Sequence, residues 1–536
     1  MRFALLLLLT GATAAFAQPP APGSASVRLQ ASWGQFRTAA VDLLGWQVSV
    51  PAISLGRMTF FEAAAKVDEL GLAFVEGSSA QRTSFEIAKP LDSNLTPDEL
   101  TSVKNRLRAL SLRMPVYHVE SIPAGEARRK LFEFAKDLGV QTIIANAEPT
   151  ALEDLDKLAN EFAVNVALQT RAPKALQLLL QPLSKRIGLS AEHPEDLAQF
   201  QGRLLAVHLR SILTLPKLLR EMYKLELKPL FITVAPSSLD SFEKALHPVM
   251  TDRVYAIART MPIRSPEKLS PEIRQQIEAA APKQAPAKPA KPRKLLVLDL
   301  NIGWPGHATI LNGNLALELM AKNTAAFEPV FSNDLENLKY PKIRQFDAIF
   351  LNSTVGQVFV DPEIRKSLLR FVREGRGLGG VHGASYTSLD WPEFTEMLGA
   401  GEGPHRVEQA TLKLDDPSSP LTASFDRAGF PWEDEFYRFY ATGPYSRERL
   451  HVLLSIDMDK SDLVRGRPLP RGNRPDNDYG LSWIRSYGKG RVFFCALGHT
   501  PALFTTPATS QHILAGIQFI LGDLAADATP SAKLIK

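Results

Sequence analysis

Short apolar runs alternate with helical patterns along nearly the whole chain, and this alternation constrains the fold more than any other feature of the sequence. It predicts parallel β-sheet joined by helices. Residues 31–262 contain eight such runs, which suits a (β/α)8-type barrel. The predicted strands are Trp46–Val50, Leu72–Val75, Pro115–Val119, Thr142–Ala145, Val164–Leu168, Arg186–Leu189, Leu204–His208 and Pro229–Val234.

A change of composition divides the chain after residue 262. Residues 263–293 form a predicted linker, and its core, 280–292, repeats alanine, proline and lysine, which is typical of an extended, solvated spacer. Five basic residues and no acids lie in the stretch 281–294, and their charge equals the formal net charge of +5 of the whole chain. The basic balance is therefore a linker effect and does not indicate a nucleic-acid partner.

The N-terminus, residues 1–17, has the pattern of a secretory signal peptide. Arg2 gives a short positive region, Leu5–Leu9 lie in an apolar run, and small residues on either side of Phe16 form a cleavage site. We therefore expect an exported protein, periplasmic or secreted, with an uncleaved N-terminal anchor as the alternative. No later stretch is long and apolar enough for a membrane span, so none is expected after signal removal.

A second α/β domain is predicted over residues 294–527, where Leu295–Leu300 and Ala348–Leu351 are expected to form buried strands. Further along, the glycine-lined segment 377–385 predicts a strand that enters a tight turn at His382, because small residues let backbone and helix approach closely. This is the geometry of a nucleophile elbow, but the elbow residue is an imidazole instead of the thiol that a glutamyl thioester requires. Glutamine amidotransferase chemistry is therefore not expected.

Four segments of this domain, taken in order, resemble the ThuA (trehalose utilisation) family of the class I glutamine-amidotransferase-like superfamily. They are Gly306-His307, Gly379–His382, Asp434–Tyr437, and Tyr487–Phe493 followed by Leu497–His499. The resemblance implies a flavodoxin-like, doubly wound sheet. It also implies a role in the use of trehalose or another sugar.

The N-terminal domain resembles the xylose-isomerase-like TIM barrels of the sugar-phosphate isomerase and epimerase group, on residues 69–77 and 203–210. That resemblance implies a divalent metal held by carboxylates and histidine at the ends of strands. The sequence departs from it, since Gln169 stands where the family usually has a metal-binding glutamate and the last strand offers Thr233 without a carboxylate. We expect a barrel with an incomplete metal site, which binds a sugar-like ligand, orients the other domain or is purely structural. The remaining candidate groups are Glu76, Glu192, His193 and His208.

Three histidines of the C-terminal domain follow strands that are expected to end at one edge of its sheet, where ligands of open α/β folds bind. We expect them to converge, with a glutamate nearby. In one interpretation His307, His382 and His499 hold a divalent ion such as Zn²⁺. In the other, acid–base catalysis without a metal is carried out by His382, His307, Glu435 and His499. The alternative to both is that these histidines only cap turns.

Asp434 and Glu435 are neighbours on a predicted strand and face opposite sides, so only Glu435 is assigned to the pocket.

Four further residues are predicted to contact the substrate. The two aromatic residues of the set are expected to stack on a sugar ring, with core packing as the alternative for Trp432. The substrate contacts are assigned to Tyr437, Trp432, Ser385 and His405.

Together these motifs predict a carbohydrate-processing enzyme that acts on a disaccharide or keto-sugar as a hydrolase, lyase or isomerase. The competing hypotheses are a noncatalytic carbohydrate-binding protein and a scaffold whose linker lets two modules engage a larger exported assembly. The expected partner is a small carbohydrate, and the oligomeric state is left open.

Overall fold

The computed structural model describes residues 43–169, 173–198, 202–209, 212–228, 231–461 and 474–534. The predicted signal peptide and the first residues of the barrel domain lie outside these ranges, so export stays a prediction. No helix within the described ranges is long and apolar enough to cross a membrane.

The N-terminal half forms a closed barrel of eight parallel strands in sequence order, which confirms the predicted architecture. Buried apolar runs form the strands, as their alternation with helical patterns predicted. The strands are β1 (Val48–Pro51), β2 (Phe74–Ser78), β3 (Arg113–Ser121), β4 (Thr142–Asn146), β5 (Asn165–Leu168), β6 (Ile187–Ala191), β7 (Leu204–Leu209) and β8 (Phe231–Val234).

Helices connect these strands, and the first two of the set begin at capping boxes, in which Thr59 pairs with Glu62 and Thr96 with Glu99. The reciprocal hydrogen bonds satisfy amides that a helix start leaves free. The helices are α1 (Phe60–Glu69), α2 (Pro97–Ala109), α3 (Gly125–Asp137), α4 (Leu152–Phe162), α5 (Pro173–Leu180), α6 (Pro194–Leu197), α7 (Leu215–Lys224) and α8 (Leu239–Thr260).

Two layers of inward-facing side chains occupy the barrel. The lower layer is a small apolar cluster that includes Val116, Ile144, Ala167, Ala206 and Phe231. A polar layer lies two residues further along the strands, because every second residue of a strand faces the same side. It includes Gln169, which lies within hydrogen-bond distance of His118 and His208, and Glu76, which accepts from Thr233. This layer is at the carboxyl ends of the strands, where barrel enzymes place their sites.

The C-terminal half contains a nine-stranded sheet and a separate two-stranded sheet. Its strands are β9 (Lys294–Leu298), β10 (Asn301–Ile302), β11 (Glu328–Phe331), β12 (Ala348–Asn352), β13 (Val355–Gly356), β14 (Gly377–Val381), β15 (His405–Leu414), β16 (Phe430–Tyr437), β17 (His451–Ile456), β18 (Gly480–Tyr487) and β19 (Gly490–Cys495). The order in the large sheet is β11-β9-β12-β14-β19-β18-β17-β15-β16, and β10 pairs with β13.

The first five strands of that order are parallel and carry helices, as the predicted flavodoxin-like sheet requires. The last four strands extend the sheet through antiparallel pairs, which the sequence analysis did not foresee. The helices of this half are α9 (Pro271–Ala280), α10 (Ile310–Thr324), α11 (Pro362–Arg373), α12 (Pro392–Leu398), α13 (Ala502–Thr505) and α14 (Pro507–Leu521).

The predicted linker is not a solvated spacer. Helix α9 lies within it and packs against α10, α13 and α14. Beyond α9, Gln518 accepts from the amide of Ala287 at 2.8 Å and donates to its carbonyl at 2.6 Å, and Asp523 accepts from the amide of Ala290 at 3.0 Å. The alanine, proline and lysine composition predicted an unattached segment. Composition alone does not show that Gln518 and Asp523, far away in the sequence, bind its backbone.

Candidate functional site

His382 stands at the end of β14, where the chain enters a short 3-10 helix, His382–Tyr386. Glycines line β14 because neighbours approach its backbone closely: a Cβ on Gly377 would lie 2.2 Å from the carbonyl oxygen of Ile520. The backbone of His382 has a φ of +46°, a left-handed conformation that is uncommon outside glycine and often marks functional sites. The tight turn predicted at His382 is therefore present.

The side chain of His382 is fully buried and has a defined orientation. Its Nδ1 lies 3.1 Å from the carbonyl oxygen of Ala496, and Nδ1 carries the proton because a carbonyl only accepts. The lone pair is then on Nε2. This atom faces Nε2 of His307 at 3.0 Å, the hydroxyl of Tyr437 at 3.1 Å and Oε2 of Glu435 at 3.5 Å.

Four side chains form one cluster, here called the histidine–glutamate centre: His307, His382, Glu435 and His499. One ligand-type atom from each lies within 4.8 Å of the others. Oε2 of Glu435 is 3.2 Å from Nδ1 of His499. In the part of the chain that the structure describes, no other group of histidine, cysteine and acidic residues has this spacing. The convergence expected from the strand ends is present, and the roles assigned to these residues stay predictions.

The order of strands in the sheet explains why these segments meet. β9, β14 and β19 are parallel, so the segments that follow them emerge at one edge and carry the three histidines of the centre. Glu435 comes instead from β16, at the far end of the antiparallel extension. The neighbouring Asp434 accepts from the amide of Gly498 at 2.9 Å, so β16 must fold over the carboxyl edge of the parallel strands.

The loop that carries the first histidine of the centre is held by the connection between the two halves of the chain. Arg264 follows α8, and its amide donates to Oδ2 of Asp299 at 2.9 Å. Its guanidinium donates to the carbonyl of Pro305, also at 2.9 Å. Gly306 comes next with a φ of +82°, and a Cβ there would lie 2.8 Å from that guanidinium. The connection to the barrel therefore fixes the backbone just before His307.

Burial and neighbouring charges set the protonation states of the centre. Burial, and after it the nearby His499, lowers the pKa of His307 to about 4, and burial lowers the pKa of His382 well below its ordinary value. Burial would raise the pKa of Glu435, but close contact with His499 and the other imidazoles lowers it overall. The same carboxylate raises the pKa of His499. At neutral pH the centre offers two neutral imidazoles and an ionised carboxylate.

Two of the residues predicted to contact substrate lie at the centre. The ring of Tyr437 stacks on that of His382, with centroids 4.8 Å apart and planes 11° from parallel. His405 borders the rim: its Nδ1 donates to the carbonyl of Gly403 at 2.9 Å, and its Nε2 is 4.0 Å from Oε1 of Glu435. Tyr437 is buried beside the centre and His405 is exposed at its rim, and their roles as substrate contacts stay predictions.

The other two, Trp432 and Ser385, do not face the centre. Trp432 is three residues from Glu435 on β16 and therefore on the opposite face, where its Nε1 is 3.5 Å from Oδ2 of Asp434. The hydroxyl of Ser385 is buried and donates at 3.2 Å to the carbonyl of His382 within its own turn. The motif placed both residues close to the centre along the chain. Their side chains point elsewhere because residues alternate in face along β16 and because Ser385 is bonded within its own turn.

Three residues near the centre were missed from the sequence. Trp304 is half-buried and packs edge-on against His307, with ring centroids 4.6 Å apart. The ring of Tyr386 is 5.5 Å from that of Tyr437. Asp434 binds the segment that carries the last histidine. Both aromatic residues lie within four positions of a predicted histidine, so closeness in sequence was the available signal.

The polar layer of the barrel lacks the ligand set that the sequence resemblance of this half implies. Gln169 spans the layer, with Oε1 3.2 Å from Nε2 of His118 and Nε2 3.5 Å from Nδ1 of His208. No group of histidine, cysteine and acidic residues in the described part of the barrel has metal-ligand spacing, and Glu76 accepts from Thr233 at 2.9 Å while burial raises its pKa to about 7. A hard divalent cation needs several ionised oxygen ligands, so these residues do not fit one.

The fold and the centre define a two-domain α/β protein with a histidine–carboxylate site at the carboxyl edge of its C-terminal sheet. Residues 294–520, less than half of the chain, match the ThuA family, described as trehalose utilisation. No curated protein matches the chain.

Three solved structures are similar to parts of the chain. A ThuA-like protein from Bacteroides uniformis is 19% identical, with 46% of this chain and 99% of that chain covered and a TM-score of 0.37. A protein from Parabacteroides distasonis is 17% identical, with 39% and 99% covered and a TM-score of 0.35. A xylose isomerase-like TIM barrel protein from Mycobacterium smegmatis, solved in complex with magnesium, is 12% identical, with 39% and 96% covered and a TM-score of 0.30.

Proposed function

We propose that this protein processes a carbohydrate at the histidine–glutamate centre, and that the centre binds a divalent transition-metal ion such as Zn²⁺. The observation that carries the proposal is the meeting of three imidazoles and one carboxylate, whose ligand atoms lie within 4.8 Å of one another. Histidine and carboxylate are common zinc ligands. The family description, trehalose utilisation, supports a sugar as substrate. The signal-peptide pattern of residues 1–17 supports action in the periplasm or outside the cell.

The orientation of His382 supports metal binding. Its Nδ1 is engaged by the carbonyl of Ala496, and such a second hydrogen bond is what fixes the ring of a metal-ligating histidine. The Nε2 atoms of His307 and His382 are 3.0 Å apart. Two nitrogens bound tetrahedrally to zinc are separated by roughly 3.3 Å, so little movement would be needed. Neutral imidazoles and an ionised carboxylate are also the protonation states that bind a metal.

The groups around the centre suit a sugar substrate. A bound ion would supply Lewis acidity toward a sugar carbonyl or lower the pKa of a water molecule. The Tyr437 hydroxyl, 3.1 Å from Nε2 of His382, is a donor at the same position. His405 lies at the rim, and Trp304 offers an aromatic edge beside His307. A disaccharide or keto-sugar would therefore meet polar groups and aromatic surface together, as ligands do in most small-molecule sites.

Acid–base chemistry without a metal is the second candidate, and one arrangement favours it. The Tyr437 hydroxyl and Nε2 of His307 both lie within hydrogen-bond distance of the His382 lone pair, so the cluster can satisfy itself without an ion. His499, whose pKa is raised by Glu435, would then be the proton donor to the leaving group.

Elemental analysis of the full-length protein separates these candidates. We expect one zinc-class ion per chain, and loss of turnover of trehalose or a keto-disaccharide when a chelator removes it. One ion is expected instead of two because no group of histidine, cysteine and acidic residues in the described part of the barrel has metal-ligand spacing, so His208→Ala should leave the metal content unchanged. Full activity of the metal-free protein would select acid–base chemistry. Tight sugar binding without any product by NMR would select a noncatalytic carbohydrate-binding protein.

Trp304→Ala should raise the KM for the sugar about tenfold while kcat stays within about twofold, because the ring borders the centre without reaching the reacting groups. Steady-state kinetics measures both constants. Tyr487→Ala is the matched control, since this half-buried ring at the end of β18 packs on Arg373 beside the start of β19, at the edge of the sheet opposite the centre, and should leave KM unchanged. An unchanged KM in Trp304→Ala would contradict a substrate bound beside this ring.

A further inference from the structure

Residues 496–500, here called the hub segment, are bonded to each of the other three parts of the histidine–glutamate centre. The ring of His382 donates to the carbonyl of Ala496 at 3.1 Å. The hydroxyl of Thr309, in the turn that follows the first histidine of the centre, donates to the carbonyl of Gly498 at 2.7 Å. Strand β16 supplies the remaining bonds. The hub segment is therefore the place where the separate pieces of the centre are joined.

Asp434 makes the bonds from β16. Its carboxylate is fully buried and accepts from the amides of Gly498 at 2.9 Å and Thr500 at 3.1 Å, the residues on either side of His499. It also accepts from the amide of Glu435 at 2.9 Å. The side chain of Asp434 thus fixes the backbone on both sides of His499 and also the amide of Glu435.

These bonds act on the centre through other residues. Asp434 and Glu435 are adjacent on β16, so the carboxylate of Asp434 faces away from the centre and does not touch an ion or substrate there. Hydrogen bonds from backbone amides to a buried carboxylate are charge-assisted and strong. They also join β16 to the segment that follows β19. These two strands are not neighbours in the sheet, so no backbone pairing connects them directly.

We propose that Asp434 is the positioning residue of the histidine–glutamate centre. By holding the amides of Gly498 and Thr500 it aims His499 and Glu435 at one ion. This inference rests on the proposed metal-binding function. Partners that orient ligands without touching the metal are typically needed for full affinity.

Asp434→Asn tests the proposal, because the amide nitrogen of asparagine cannot accept from the backbone donors that face it. We expect the Zn²⁺ affinity of the full-length protein, measured by competition titration, to fall about 10- to 100-fold. The visible spectrum of the Co²⁺-loaded variant should differ from that of the wild type, since the ligand geometry changes.

Asp523→Asn is the matched control. The side chain of Asp523 is also buried and accepts from the amide of Ala290 and from Arg293, but at the opposite edge of the same sheet. This variant should lose thermal stability while its Zn²⁺ affinity and Co²⁺ spectrum stay those of the wild type. The contrast separates a loss of positioning from a general loss of stability.

Thr309→Val is a second variant, which removes only the hydroxyl that holds the hub segment from the other side and should lower Zn²⁺ affinity by up to about tenfold. Unchanged affinity in folded Asp434→Asn would overturn the inference and leave the proposed function standing. If Asp434→Asn does not fold, Asp434→Glu is measured instead, because its longer side chain displaces the same acceptor oxygens, and unchanged affinity in that variant overturns the inference. A wild-type protein that binds no zinc-class ion would remove both the proposed function and this inference.

Discussion

On the proposed function, the His382→Ala variant is expected to bind no zinc-class ion and to lose about 1000-fold of the turnover of a sugar substrate. His382 is the fully buried member of the centre, and its Nε2 is 3.0 Å from His307 and 3.5 Å from Glu435. Alanine removes a ligand and also the bond to the carbonyl of Ala496 that orients the ring. The other three side chains of the centre then have no His382 ring between them.

Elemental analysis and product detection by NMR measure the two effects on the same sample. His193→Ala is the matched control, because this histidine is exposed on the barrel and takes no part in the centre. It should keep both the ion and full turnover. An ion and turnover that both survive in His382→Ala would remove the centre as the functional site and favour the scaffold hypothesis.

Acidification is expected to destabilise the metal-free protein, and His307 accounts for a defined part of the loss. Burial, then the nearby His499, holds the pKa of His307 at about 4 in the folded chain, against 6.5 in the unfolded chain. The unfolded state therefore binds more protons between these values. The contribution of the neutral His307 ring to the free energy of unfolding is fully present above pH 6.5 and is lost as the pH falls toward 4. At pH 5 the loss from this ring is about 2 kcal/mol.

Urea unfolding of the chelated protein at pH 7 and pH 5 checks this expectation. His307→Asn removes the titrating ring, so its free energy of unfolding should fall by about 2 kcal/mol less than that of the wild type over the interval. Equal losses in the two proteins would show that His307 is not held as a neutral ring. Exposed His193 again provides the control, since His193→Ala should follow the wild type.

The architecture was predictable because local patterns leave few alternatives. Apolar runs that alternate with helical patterns favour parallel sheet covered by helices, and this holds for the barrel and for the first five strands of the C-terminal sheet. The meeting of His307, His382 and His499 was predictable for a similar reason, since parallel strands end at a common edge. Both conclusions needed only the order of elements and the residues at their ends.

The sequence assigned Glu435 to the pocket, but the way this residue reaches the centre depends on contacts that no local pattern shows. Glu435 reaches the centre because β16 folds over the sheet edge, and the bond that shows this joins Asp434 to Gly498, 64 residues away. Trp432 and Ser385, predicted as substrate contacts, do not face the centre: Ser385 is bonded within its own turn, and Trp432 lies on the other face of β16. A motif places a residue to within a position or two, whereas one position on a strand reverses the face that it presents.

The attachment of the segment after α8 decides where the chain can be divided. The family match begins at residue 294, yet Arg264 clamps the backbone before His307, and α9 covers three helices of the C-terminal half. A fragment that begins at residue 294 would therefore lack the hydrogen bonds of Arg264 and would expose the surface that α9 covers. If the barrel were ever exchanged for another module, the splice would have to fall between Thr260 and Arg264.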